Sequence, residues 1–206
     1  MGKAVSPKLK IREEVAAFKR ERTIEVACDL FYAKGYVNAT LDDVAEQLSV
    51  TKPFIYANFG SKNELLAEIC KRGVSAASDS LDEVLGFRLG PKDTLRLFVD
   101  RYVKAILQHQ KNIAVYTREE KNLAPDDARA LAEMRKGFVG RLGAVLSEGA
   151  EQGDFAIGDP AMAALAIVGS VSWSTFWYHP DGRLDIADIS RTMTDLLMSM
   201  AGVPPS

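Results

Sequence analysis

The clearest apolar–polar patterning runs from residue 19 to residue 66. Ile24, Ala27, Cys28 and Phe31 recur at helical spacing, and Gly35 after Lys34 is a left-handed stop, so a first helix ends there. Thr40 opens a second helix with Asp43 three positions on, close to a capping-box pair, and Val44, Ala45 and Leu48 form its apolar stripe. Ser49-Val50 makes a tight turn. Thr51 is the expected cap of a third, short helix, with Pro53 in its first turn and Ile55 and Phe59 as its core face. Ser61-Lys62-Asn63-Glu64 then reads as a serine-to-glutamate capping box opening the next helix. Lys52, Phe54, Tyr56, Ala57 and Asn58 are left for other surfaces. Helix, turn and a short helix with polar and aromatic residues facing outward is the geometry that enters a DNA major groove.

Past residue 62 the chain reads as helices in series. One runs from Lys62 to about Leu85, a second from Pro91 to about Gln108, and a short one around Lys111–Glu120. Leu123-Ala124-Pro125-Asp126 breaks the chain, and the next helix reaches about Gln152. An uncharged helix covers 160–178, His179-Pro180-Asp181-Gly182 is a turn by composition, and the last helix spans about Asp185 to Ala201. Strand signals are weak, because β-branched residues are scattered and no hairpin turn separates alternating runs. The expected fold is all-α, with about nine helices.

Ile24, Ala27, Phe31, Gly35, Tyr36, Thr40, Val44, Ala45, Val50, Thr51, Lys52, Tyr56, Phe59, Lys62, Leu65 and Leu66 together resemble the N-terminal signature of TetR-type transcriptional regulators. The resemblance covers about a quarter of the chain. It implies a three-helix helix-turn-helix domain at 19–62, preceded by a basic arm at 1–18 and followed by an effector-binding and dimerisation domain at 63–206. Two departures stand out. Ser49 occupies a turn position that glycine usually holds, and Ala57-Asn58 replaces a commoner aromatic–histidine pair, so the operator cannot be borrowed from a relative.

Charge supports this division. Residues 1–62 carry 10 Lys and Arg against 8 Asp and Glu, whereas residues 63–206 carry 16 against 20. The basic excess is concentrated at the start, where Lys3, Lys8, Lys10, Arg12, Lys19, Arg20 and Arg22 face three glutamates, which suits attraction to phosphates. Residues 1–10 also read as a disordered, soluble tail. A charged N-terminus without an apolar core argues for a cytoplasmic protein. The stretch Ala161–Tyr178 has no charge over eighteen residues, near the minimum for a membrane span, yet its serines and its isolation point to a helix buried on every side in a soluble protein. Cys28 and Cys70 read as reduced core thiols, and His109 and His179 lack partners in a metal-ligand pattern. No phosphate loop, nucleophile elbow or paired-carboxylate motif suggests an enzyme or a cofactor.

Roles follow from position and from the resemblance. Thr40, Thr51, Tyr56 and Lys62 are expected on DNA phosphates, Lys52 on guanine O6 or N7, Pro53 and Phe54 on thymine methyls, and Asn58 as a weaker base contact. Phe176, Trp177, Met193, Leu197 and Met200 are expected in a homodimer seam, a four-helix bundle that pairs two recognition helices on a palindromic double-stranded operator. Phe98, Tyr102, Ile106, Tyr116, Phe138, Leu142, Leu165, Val168 and Ser172 are expected to line an effector pocket, with Arg118 and Arg141 meeting a negative head group. The run from Trp173 to Leu184 is similar to regulators that answer to acyl-CoA thioesters of fatty-acid or steroid breakdown, which implies Trp173 as a thioester contact. The reading is a ligand-released repressor. A constitutive DNA-binding protein without effector, and a small-molecule-binding protein or enzyme lacking DNA binding, stay open as alternatives.

Overall fold

The computed structural model describes residues 7–203, with side chains from residue 13; Lys3 and the side chains of Lys8, Lys10 and Arg12 lie outside the described residues. Among the described residues there are nine α-helices, one 3₁₀ turn and no strand. The helices are α1 (Pro7–Lys34), α2 (Leu41–Leu48), α3 (Lys52–Phe59), α4 (Lys62–Leu85), α5 (Pro91–Gln108), α6 (Gln110–Glu119), α7 (Pro125–Gln152), α8 (Pro160–Trp177) and α9 (Ile186–Met200), with the 3₁₀ turn at Glu120–Asn122.

The first helix starts earlier than the pattern suggested. Pro7 sits at its first position and no glycine or proline follows until Gly35, so residues 7–10, expected in a disordered tail, belong to α1. Gly35, at φ +80°, ends it and donates its N–H to the Phe31 carbonyl at 3.0 Å. Thr40 caps α2 in a complete capping box: its hydroxyl accepts from the Asp43 N–H (3.0 Å), and its own N–H donates to the Asp43 carboxylate (2.7 Å). Those bonds hold the Asp43 carboxyl below its ordinary range, the Thr40 backbone contributing most. Ser49 adopts φ 54°, ψ 40°, the left-handed geometry expected at that turn, and Val50 donates back to the Ala45 carbonyl at 3.0 Å. Thr51 departs from expectation. It holds the N-cap position of α3, but its hydroxyl makes no capping bond, and its carbonyl accepts the Phe54 N–H instead.

Two apolar cores organise these helices. One gathers Leu81, Leu95, Phe98, Tyr102, Phe138, Leu142, Ile167, Val171 and Leu197 from α4, α5, α7, α8 and α9. The other joins Ile24, Phe31, Val44, Ile55, Phe59, Leu65 and Ile69 of the N-terminal helices to Val115, Tyr116, Leu123 and Leu131. The N-terminal core therefore extends into α6 and α7. At roughly 25 cal/mol per Å² of apolar surface removed from water, such shared burial makes the two ends of the molecule one packed body.

Helix α8 is not buried on every side of this chain. Ala164, Ile167, Val171, Ser174 and Thr175 face inward, while Met162, Leu165, Trp173, Phe176 and Trp177 face out. By length and composition alone it is the one described helix apolar enough to cross a membrane. Asp159 caps it, and Gln110 of α6 donates to the carbonyls of Thr175 and Tyr178 at its far end.

Candidate functional site

The surface formed by α2 and α3 carries the expected DNA contacts. Thr51, Lys52, Pro53 and Tyr56 are exposed there, opposite the buried Ile55 and Phe59. Lys52 is not free: its ammonium pairs with the Asp42 carboxylate on α2 at 2.8 Å, which raises the pKa of the lysine. Phe54 is half-buried, with the Lys19 ammonium 5.6 Å from its ring centre. Asn58, also half-buried, donates its amide to the Phe54 carbonyl at 2.8 Å, so one of its donors is spent inside the chain. Thr40 uses its hydroxyl in the capping box. Lys62 lies 4.3 Å from the centre of the Tyr36 ring and reaches the Val37 carbonyl at 3.4 Å, and partial burial lowers its pKa.

A second site lies among α4, α5, α6, α7 and α8. It is a cavity of about 210 Å³ lined by Tyr102, Ile106, Tyr116, Phe138, Val168 and Ser172, all expected there, together with Gly73, Val74, Ala77, Ile113, Thr117 and Arg135. At one end the Tyr102 hydroxyl lies 3.3 Å from Ser172 Oγ; at the other Arg135 donates to the Tyr116 hydroxyl (3.1 Å), which donates to Glu120 (3.0 Å). Burial pushes both tyrosine hydroxyls up to about 12, with Glu120 adding to the shift at Tyr116. A larger cleft of about 510 Å³ between α1 and the α5–α6 junction is lined by ions that already pair across it, Arg72 with Glu21 and Lys111 with Asp29.

Six expected pocket residues are not on the cavity wall, among them Leu165, which faces out from α8. Phe98 stacks on Tyr102 (5.2 Å between ring centres) and Leu142 fills the core beyond it. Arg118 points away, donating to the Tyr32 carbonyl at 2.8 Å and covering the Tyr32 ring, because the free carbonyls at the end of α1 attract a cation. Arg141 binds Ser78 and Asp82 on α4. Trp173 is 63% exposed, against the 59% exposed Phe176 with ring centres 4.7 Å apart. Arg135 was missed, although it lies three residues before Phe138 and four after Leu131, on the face they share.

The expected dimer residues divide in the same way. Phe176, Trp177 and Met200 are exposed on α8 and α9 beside Trp173 and Leu196. Leu197 is only 2% exposed and Met193 is half-buried, both packed into their own chain's core. The reason is helical phase: 193 and 197 share the face of Ile189 and Thr194 that lies against α5, whereas 196 and 200 point outward.

Residues 24–69 match the family described as bacterial regulatory proteins, tetR family, and residues 88–201 match a tetracyclin repressor-like C-terminal domain. The chain is 24% identical to the fatty acid metabolism regulator protein of Bacillus subtilis (strain 168), covering 88% of this chain and 94% of that one. It is 22% identical to the HTH-type transcriptional repressor KstR2 of Rhodococcus jostii (strain RHA1), covering 90% and 92%. The crystal structure of AibR in complex with isovaleryl coenzyme A and operator DNA shares the fold with a TM-score of 0.76 at 23% identity, covering 91% of this chain and 99% of that one.

Proposed function

The chain belongs to the TetR family of bacterial regulatory proteins, and from that membership we propose that it is a repressor that binds a palindromic operator as a homodimer and is released by a short acyl-CoA thioester. It is a transcriptional regulator, not an enzyme. It acts in the cytoplasm, on double-stranded DNA. Residues 19–62 bind DNA, with residues 1–18 as a basic arm, and residues 63–206 bind effector and a second copy. Lys52 reads guanine, Pro53 and the open edge of Phe54 meet thymine methyls, and Thr51 and Tyr56 hold phosphates.

One observation carries the reading. Within α6, Tyr116 and Thr117 border the cavity, while the next two residues, Arg118 and Glu119, grip the end of α1. Whatever repositions Tyr116 is transmitted within one helical turn to the segment that orients α2 and α3. At the Tyr116 end of the cavity Arg135 keeps N–H donors beyond the one given to Tyr116, which suits a thioester carbonyl. The volume, below the roughly 300–1,000 Å³ of drug-sized sites, favours a short acyl chain over fused rings. The fatty acid regulator and the isovaleryl coenzyme A complex among its relatives support the same ligand class.

The test is selection of bound fragments from genomic DNA, followed by titration of the recovered duplex complex with acyl-CoAs of increasing chain length. A palindrome is expected, with release by short chains. Recovery of no preferred duplex, or operator affinity constant across the series, would reject the regulator or the effector respectively.

A further inference from the structure

We propose that Asp42 is a positioning residue that holds Lys52 for guanine and withholds it from phosphates, so that discrimination between DNA sequences depends on a carboxylate that need not touch DNA. The inference rests on the reading of Lys52 as the base contact. Asp42 is the second residue of α2 and Lys52 the first of α3, ten positions apart across the turn, and their side chains meet at 2.8 Å while both stay exposed. Asp42 has no role in the capping box of α2, which Thr40 and Asp43 complete without it. It is therefore free to serve its partner on α3.

A lysine ammonium has three N–H donors. One is committed to Asp42, and two are left to aim at adjacent acceptors, which is what guanine O6 and N7 present in the major groove. The pair thus fixes a long, flexible side chain before DNA arrives, and the bond to Asp42 need not break on the cognate site. Away from that site the balance differs. Attraction to phosphates is a matter of charge and counterion release, and an ammonium with a carboxylate at 2.8 Å presents little net charge to a phosphate. Asp42 therefore weakens binding to arbitrary sequence while leaving the guanine contact intact.

The experiment compares wild type, D42N, K52A and the double variant on two duplexes of equal length, the preferred fragment from the selection and a scrambled one, over a series of salt concentrations. For D42N, scrambled-duplex affinity is expected to rise roughly 3-fold at 50 mM salt and to return to about the wild-type value by 200 mM, because the slope of log affinity against log salt is steeper by about 0.9. Affinity for the preferred duplex is expected to stay level or fall, so the ratio between the two drops. In the K52A background the same D42N change is expected to leave the affinity ratio of the two duplexes where it is, which a merely structural role for Asp42 would not produce. An unchanged salt slope, an equal effect in the K52A background, or an unchanged affinity ratio would overturn the proposal. A loss on the preferred duplex alone, with scrambled binding unmoved, would make Asp42 a direct base contact and overturn it as well. If K52A alters neither duplex, the fault lies in the base-reader assignment and the proposal falls with it; if no preferred fragment is recovered, the regulator reading itself has failed.

Discussion

The backbone N–H of Tyr36 donates to the carboxylate of Glu119 at 3.2 Å, joining two residues 83 positions apart. Glu119 is only 9% exposed and also accepts from the Asn122 amide at 2.9 Å. Beside it Arg118 holds the carbonyls ending α1, and Asn63 at the start of α4 exchanges hydrogen bonds with the backbone of Asn122 and Ala124. The loop that aims α2 is thus fastened to α6.

Replacing Glu119 by alanine leaves the Tyr36 N–H and the Asn122 amide without their partner. The expected cost is about 1–3 kcal/mol of folding stability, read from the denaturant midpoint. Operator affinity should also fall, because the orientation of the helix-turn-helix is no longer held. A midpoint within error of wild type would show that solvent replaces the carboxylate at no cost.

Ser49 holds a left-handed conformation that an L side chain resists and that glycine adopts freely. Ser49→Gly is expected to stabilise the protein by roughly 0.5–1 kcal/mol, the relief of strain exceeding the added entropy of the unfolded chain. Thermal unfolding checks this. A lower midpoint would mean that the serine conformation is already relaxed.

Trp173 and Phe176 lie on the outward face of α8, so charged substitutions there should leave the monomer's core intact. The double change of Trp173 and Phe176 to glutamate is expected to give a folded monomer in sedimentation equilibrium. Operator affinity should fall roughly 10²- to 10⁴-fold as bivalent binding is lost. A dimer that persists would move the seam elsewhere.

Arg135 is exposed enough to change without unfolding the chain, yet it reaches the Tyr116 hydroxyl at the cavity. Arg135→Gln is expected to keep unliganded operator affinity within about twofold while abolishing release by isovaleryl-CoA, a response expected at about 5- to 150-fold in wild type. Fluorescence anisotropy on the selected duplex measures both quantities. Retained release would take Arg135 out of effector recognition.

The ion pair between Glu21 of α1 and Arg72 of α4 gives a pH signature. The hydrogen bond from Arg72 is the main cause holding the Glu21 carboxyl below its usual value of 4.5. The folded chain therefore binds that proton less readily than the unfolded chain. The pair contributes stability above the ordinary value and loses it as pH falls through the lowered one. Because both groups are partly solvated, the contribution is no more than about 1 kcal/mol. The gap in melting temperature between wild type and Glu21→Gln should be present near pH 7 and close toward pH 3. A gap that widens in acid would contradict the pairing.

Local chemistry was legible in the chain because it is written over three or four adjacent residues. The Thr40–Asp43 box, the Gly35 stop, the left-handed Ser49 and the helix limits of α3, α4, α5 and α8 all follow from neighbours competing for the same backbone groups. The inward stripe of α3, Ile55 and Phe59, follows from helical period. So did an all-α chain with a recognition helix near its start.

Partner choice among distant residues was decided only when the chain folded. Periodicity says that a face is apolar but not what covers it, so Leu197 and Met200 looked alike although α5 buries one and solvent meets the other. A charged side chain carries still less information about its destination. Arg118 and Arg141 were drawn to the end of α1 and to Asp82, and Arg135 reached the cavity, because a long flexible cation settles where free carbonyls, carboxylates or hydroxyls come within its radius. The same holds for Lys52 and Asp42, whose pairing exists only once the turn brings two helices together. Elements were set by neighbours in sequence; the site was set by neighbours in space.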